Sequence, residues 1–188
     1  MYYGLYSNIR DSAWQCLIDF KIQSLPVNVL SIAESAGIHV IKDSDAKHLK
    51  PDEYAKAYSD GKRWIIIYND HNDVVVSRFY IAHELGHFFL GHDKKCAQYA
   101  HIPNKQKKPK AEQQADMFAL RLLCPACVLK DMDINSAEEL ARICRVPLPQ
   151  AEMRYQRLKE LESRGKYFTA PLEIEVYKNF ENYLTSLK

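Results

Sequence analysis

His83, Glu84 and His87 stand in the order His-Glu-x-x-His within Phe-Tyr-Ile-Ala-His-Glu-Leu-Gly-His-Phe-Phe-Leu-Gly-His, residues 79–92. A helix rises about 1.5 Å and turns about 100° per residue, so residues four apart lie on one face roughly 6 Å from each other. Both imidazoles can then turn a nitrogen toward a single ion. Glu84 is rotated about 100° from His83, beside such an ion rather than on it, where its carboxylate could take a proton from a metal-activated water. Phe79, Tyr80, Ile81, Phe88, Phe89 and Leu90 predict that the helix is buried, where titratable groups are costly unless paired or metal-bound. Gly86, at a cost of about 1 kcal/mol relative to alanine, predicts close approach by another segment. Gly91 reads as the left-handed cap that ends the helix.

A second helix, over residues 111–123 and stopped by Pro125, puts Glu112, Ala115, Asp116, Ala119 and Leu123 on one face. Two acids one turn apart on an apolar surface repel, so something positive should lie opposite. We expect Glu112 to be the third protein ligand and Asp116 to receive the outer N–H of a metal-bound histidine, with Ala115 and Ala119 letting the helices pack closely. Leu90 and Asp93 stand where a metzincin needs glycine and histidine, which excludes that class. His92, just past the cap, reads as a histidine bonding terminal carbonyls, with contact to substrate as the alternative. The oxyanion donor is open between Tyr80, His92, Tyr99 and His101.

Upstream, apolar spacing predicts helices over residues 8–22 and through Val29 to Ala36, stopped by Gly37. A short strand follows at Ile38–Ile41. Tyr54–Tyr58 and Trp64–Tyr68 flank Ser59-Asp60-Gly61-Lys62 as a hairpin, and Trp64–Tyr68 could hold an extended substrate as an added strand. Asp73 is the expected N-cap of the His-Glu-x-x-His helix. Residues 94–110 carry six lysines and no acid, a solvated loop or a gate for an acidic partner. Cys124-Pro-Ala-Cys127 follows a helix and lacks a second pair, so it reads as apolar filler. Leu140, Val146, Ala151 and Leu158 give the skeleton of a helix-turn-helix in which Arg154, Arg157 and Lys159 could meet phosphate, though Pro147 and Pro149 crowd its turn. Residues 172–187 form a packing helix.

Lys plus Arg number 26 against 24 Asp plus Glu, without the basic excess of a general nucleic-acid binder. The 188 residues, 47% of them hydrophobic, suit an ordinary globular protein with no membrane span. Five cysteines and an amino terminus unlike a signal peptide point to thiols in the cytoplasm.

Arg78-Phe79 before Ala82-His83-Glu84-Leu85-Gly86-His87, then Leu90-Gly91-His92, Glu112-x-x-Ala115-Asp116-x-Phe118-Ala119 and Leu122-Leu123-x-Pro125 together resemble the ImmA/IrrE family of metallopeptidases. The resemblance implies an α+β fold: a mainly helical zincin-like core over residues 1–130 with a small antiparallel sheet, and a helix-turn-helix-like part over 131–188 packed on it. It implies zinc or manganese held by His83, His87 and Glu112, Glu84 as general base, and cleavage of a helix-turn-helix repressor in stress responses or on mobile elements. The contrasting expectation is a DNA-binding regulator whose metal is structural. An open coordination position would mark the enzyme and a fourth protein ligand the regulator.

Overall fold

The computed structural model describes residues 8–59, 63–92 and 109–188. The chain divides into two compact units. One is built on Val29–Ala119, together with the start of helix α1 (Ile9–Asp19) up to Ser12; the other holds Ala13–Asn28 and Leu120–Lys188. The fold is α+β and mainly helical.

In the first unit, α2 (Val29–Ser35) leads to strand β1 (Ile38–Lys42) through Gly37, whose φ of +75° supplies the left-handed turn. A short helix α3 (Asp43–Ala46) follows. Its Asp43 carboxylate accepts from the His48 and Leu49 amides, a local side-chain bond that stabilises the turn. Strands β2 (Ala55–Ser59) and β3 (Trp64–Tyr68) pair antiparallel as the hairpin reading expects, with residues 60–62 of the turn outside the described segments. β1 joins β3 in parallel, Ile38 opposite Trp64, so the sheet is mixed and its order is β1-β3-β2.

That order corrects one expectation. β3 is central, with both sides hydrogen-bonded to neighbours, so it has no edge on which an extended peptide could add. Its Trp-Ile-Ile-Ile-Tyr sequence is the apolar run of a covered strand, with Trp64, Ile66 and Ile67 buried. Among the described residues no further strand pairs with the outer side of β2, the less apolar Ala-Lys-Ala-Tyr-Ser.

Helix α4 (Val74–Phe89) packs on this sheet. Asp73 caps it, its carboxylate accepting from the Val75 amide at 2.7 Å. The helix ends as expected at Gly91, φ +68°, where the His92 amide donates to the His87 carbonyl at 3.0 Å. Every residue from Phe79 to Phe89 is buried, and Leu90 is half-buried. Trp64 meets Phe88 edge-on, and Phe89 stacks on Phe118 of α5 (Lys110–Leu123).

The second unit takes α6 (Ala126–Asp131), α7 (Ala137–Cys144), α8 (Leu148–Ser163) and α9 (Pro171–Ser186). Pro125 stops α5 as expected and at once starts α6, its fixed φ suiting a first turn. The α7–α8 hairpin forms without glycine: Arg145 takes the left-handed cap, φ 49°, and Pro149 sits in the first turn of α8, where a missing N–H costs nothing. α9 buries Val176, Phe180 and Leu184, whereas Leu187, expected in the apolar repeat, is exposed at the helix end.

Arg154 is a second correction. It is buried rather than offered to phosphate, and its Nε and Nη2 both donate to the Cys124 carbonyl, at 2.9 and 2.7 Å. That carbonyl lies just past the end of α5, so the guanidinium closes a helix terminus. Of the other two basic side chains, Arg157 is paired with Glu160 and Lys159 lies over the Tyr155 ring.

Candidate metal centre

Three buried side chains converge on one point: His83 and His87 from α4 and Glu112 from the first turn of α5. One ligand atom from each lies within 4.8 Å of the others. The two Nε2 atoms are 3.1 Å apart, Glu112 Oε2 is 3.3 Å from His83 Nε2, and Oε1 is 3.2 Å from His87 Nε2. Helical spacing brings the histidines together, and Gly86 brings the carboxylate to them. A Cβ at Gly86 would lie 3.1 Å from Ala115 Cα and 3.1 Å from Phe118 Cδ1, so only glycine lets α5 pack this near.

Each ring is also held from behind. His83 Nδ1 meets Asp116 Oδ1 at 2.9 Å, as expected, and His87 Nδ1 meets His92 Nδ1 at 3.0 Å. His92 thus sits at the far nitrogen of His87, where the sequence suggested helix carbonyls or substrate. Tyr80 stacks on Tyr54, centroids 4.5 Å apart, with its ring 6.2 Å from that of His83. Tyr99 and His101 lie outside the described residues.

Glu84 is buried beside this cluster, and its Oε2 accepts from the Ala57 amide of β2 at 2.9 Å. Sequence reasoning missed this contact, because a backbone donor at an alanine carries no residue-type signal.

The electrostatics follow from burial and mutual proximity. Burial lowers the His83 pKa, but hydrogen bonds to Asp116 and Glu112 outweigh it and hold the ring near 9. Burial raises Glu112, and the close His83 and His87 rings overcome this, leaving the carboxyl near 2. Glu84 is raised, first by burial and further by Glu112, against the opposing pull of His87, His83 and the Ala57 N–H. His92 is lowered to about 4, first by burial and then by His87. Tyr80 is raised by burial, then by Tyr54 and Asp116.

A divalent cation fits this donor set. Glu112 Oε1 is buried without a hydrogen-bond partner, since His87 Nε2 stands at 3.2 Å but out of alignment. An acceptor with no donor, aimed where two imidazole nitrogens also point, is what a metal ligand looks like without its metal. Among the described residues the cluster offers two imidazoles and one carboxylate, and a set of three protein ligands is the donor number of catalytic rather than closed structural sites.

The model of the Peptidase_M78 family, the IrrE N-terminal-like domain, matches residues 33–156, well over half of the chain and all of the convergent side chains. The chain belongs to this family. No curated protein matches it significantly. Membership in Peptidase_M78 supports a metallopeptidase type of activity on a protein substrate, and the His83, His87 and Glu112 cluster suggests a metal cofactor. Among the described residues no helix is long and apolar enough to cross a membrane.

Proposed function

We propose that this chain is a zinc-dependent endopeptidase that cleaves a helix-turn-helix transcriptional repressor in the cytoplasm, with His83, His87 and Glu112 as metal ligands and Glu84 as general base. Manganese is the second ion suited to this set. The observation that carries the reading is the orphaned Glu112 Oε1 facing two imidazole nitrogens, with a buried Glu84 next to them. A bound ion would supply Lewis acidity, polarising a peptide carbonyl and activating water.

The protein's own groups do the rest. Glu84 accepts the proton of the attacking water and later hands it to the leaving amine. The Ala57 N–H keeps that carboxylate turned toward β2, so base and strand edge are presented together. A substrate segment lying along β2 would pass beside Glu84, with main-chain pairing for affinity and side-chain pockets for specificity. Asp116 fixes the His83 ring. Tyr80 remains a candidate contact for substrate or the oxyanion. The DNA-binding alternative loses its main support with Arg154 buried on Cys124.

The test is co-incubation with the repressor encoded nearest to the chain's own gene, with fragment termini mapped by mass spectrometry. One cut, or a few, by the zinc-loaded protein and none by Glu84→Gln carrying equal zinc supports the reading. Cleavage that survives Glu84→Gln rejects Glu84 as the base.

A further inference from the structure

We propose that His92 is a positioning residue for the ion site: it accepts the Nδ1–H of His87 and fixes the orientation of that ring. This rests on the metal-site reading above.

The backbone brings His92 into place. Gly91 turns the chain left-handed at the end of α4, and the His92 amide bonds the His87 carbonyl at 3.0 Å, so residue 92 folds back beside residue 87. The two Nδ1 atoms then face each other at 3.0 Å, a separation that needs one proton between them. A histidine that gives Nε2 to a metal keeps its proton on Nδ1, so His87 is the donor and His92 the acceptor. The remaining proton of a neutral His92 is then on its Nε2. The Gln114 side chain is a polar neighbour of the same ring.

Helix α5 carries both the Glu112 carboxylate and the Asp116 acceptor for His83, whereas His92 follows the end of α4. The two ligand histidines are thereby treated differently. His83 donates to an anion and His87 to a neutral imidazole. A neutral acceptor fixes the ring without adding negative charge next to the ion, leaving more of the cation's field for substrate.

The experiment loads wild type, His92→Phe, His92→Asn and Gln114→Leu with Co²⁺ and records affinity, visible spectrum and the hyperfine-shifted, exchangeable imidazole N–H signals. Asparagine can present an oxygen near the position of Nδ1, while phenylalanine keeps bulk and removes the acceptor. The expected result is Co²⁺ affinity about ten- to a hundredfold lower in His92→Phe, with an altered spectrum and faster exchange of one N–H signal. His92→Asn should restore most of the affinity, and Gln114→Leu should shift the same signal by less. Wild-type affinity and spectrum in His92→Phe would overturn the proposal. So would equal losses in the Phe and Asn variants, which would mean His92 acts by shape. Failure of the wild type itself to bind Co²⁺ would instead reject the metal reading beneath it.

Discussion

With Asp116 and Glu112 on its two nitrogens, metal-free His83 keeps a proton up to about pH 9, so a proton and a cation compete for the same Nε2. Zinc uptake at neutral pH should therefore release a proton, and affinity should rise about tenfold per pH unit toward pH 9, measurable by competition with a chromophoric chelator. The stability of the metal-free protein should move the other way. His83 has a folded pKa near 9 against an ordinary value of 6.5, so its contribution is full below about 6.5 and lost as pH rises through 9. Urea unfolding at pH 6 and pH 9 in the presence of chelator checks this; stability unchanged across that window would mean His83 is not the proton store. Asp116→Asn should weaken zinc binding by about ten- to a hundredfold, since it replaces a charged acceptor on Nδ1 with a neutral one. The histidines, Glu112 and Asp116 were legible in the sequence because helical spacing alone decides which side chains share a face. The contact of His92 with His87 was not, because it depends on the rotamer that His92 takes after the turn at Gly91.

At the scale of elements, the site depends on how near α5 comes to α4 and β2 comes to Glu84. Gly86→Ala gains about 1 kcal/mol of helix propensity but forces a Cβ into the Ala115 backbone, and overpacking of this kind costs about 1–3 kcal/mol. We expect a lower melting temperature together with weaker zinc binding, because α5 carries Glu112 and Asp116. Zinc affinity that survives a large loss of stability would separate packing from the site. Ala57→Pro removes the N–H that holds Glu84, a hydrogen bond to a charged group worth about 1.5–3 kcal/mol. Turnover should fall roughly ten- to a hundredfold while zinc is retained, with thermal unfolding of both proteins as the reference. The hairpin, the caps at Asp73 and Gly91 and the Gly86 contact could be read from residue types. The parallel partner β1 could not, since a parallel pair is joined through intervening structure rather than a turn with its own signature. For the same reason β3, the strongest strand in the sequence, looked like a docking edge and is the middle of the sheet.

Across the whole molecule, the helix-turn-helix skeleton of the second unit was legible but the place of Arg154 was not, because hydrophobic spacing does not tell a solvent-facing arginine from one that closes a helix end. Arg154→Leu should destabilise the protein by about 1–3 kcal/mol through the unsatisfied Cys124 carbonyl. The lysine-rich stretch expected to act as a gate falls at residues 94–110, of which 94–108 lie outside the described residues. Neutralising Lys105, Lys107, Lys108 and Lys110 should slow cleavage of an acidic partner more at low salt than at high salt, with zinc content unchanged. The expectations for zinc affinity and turnover presuppose an ion between α4 and α5. The most direct test is equilibrium zinc titration of the wild type, Glu112→Ala and Glu84→Gln, with metal content determined by elemental analysis. About one zinc per chain in the wild type and Glu84→Gln, with affinity sharply reduced in Glu112→Ala, is the predicted result. No stoichiometric zinc in the wild type, or undiminished affinity in Glu112→Ala, would contradict the three-ligand centre.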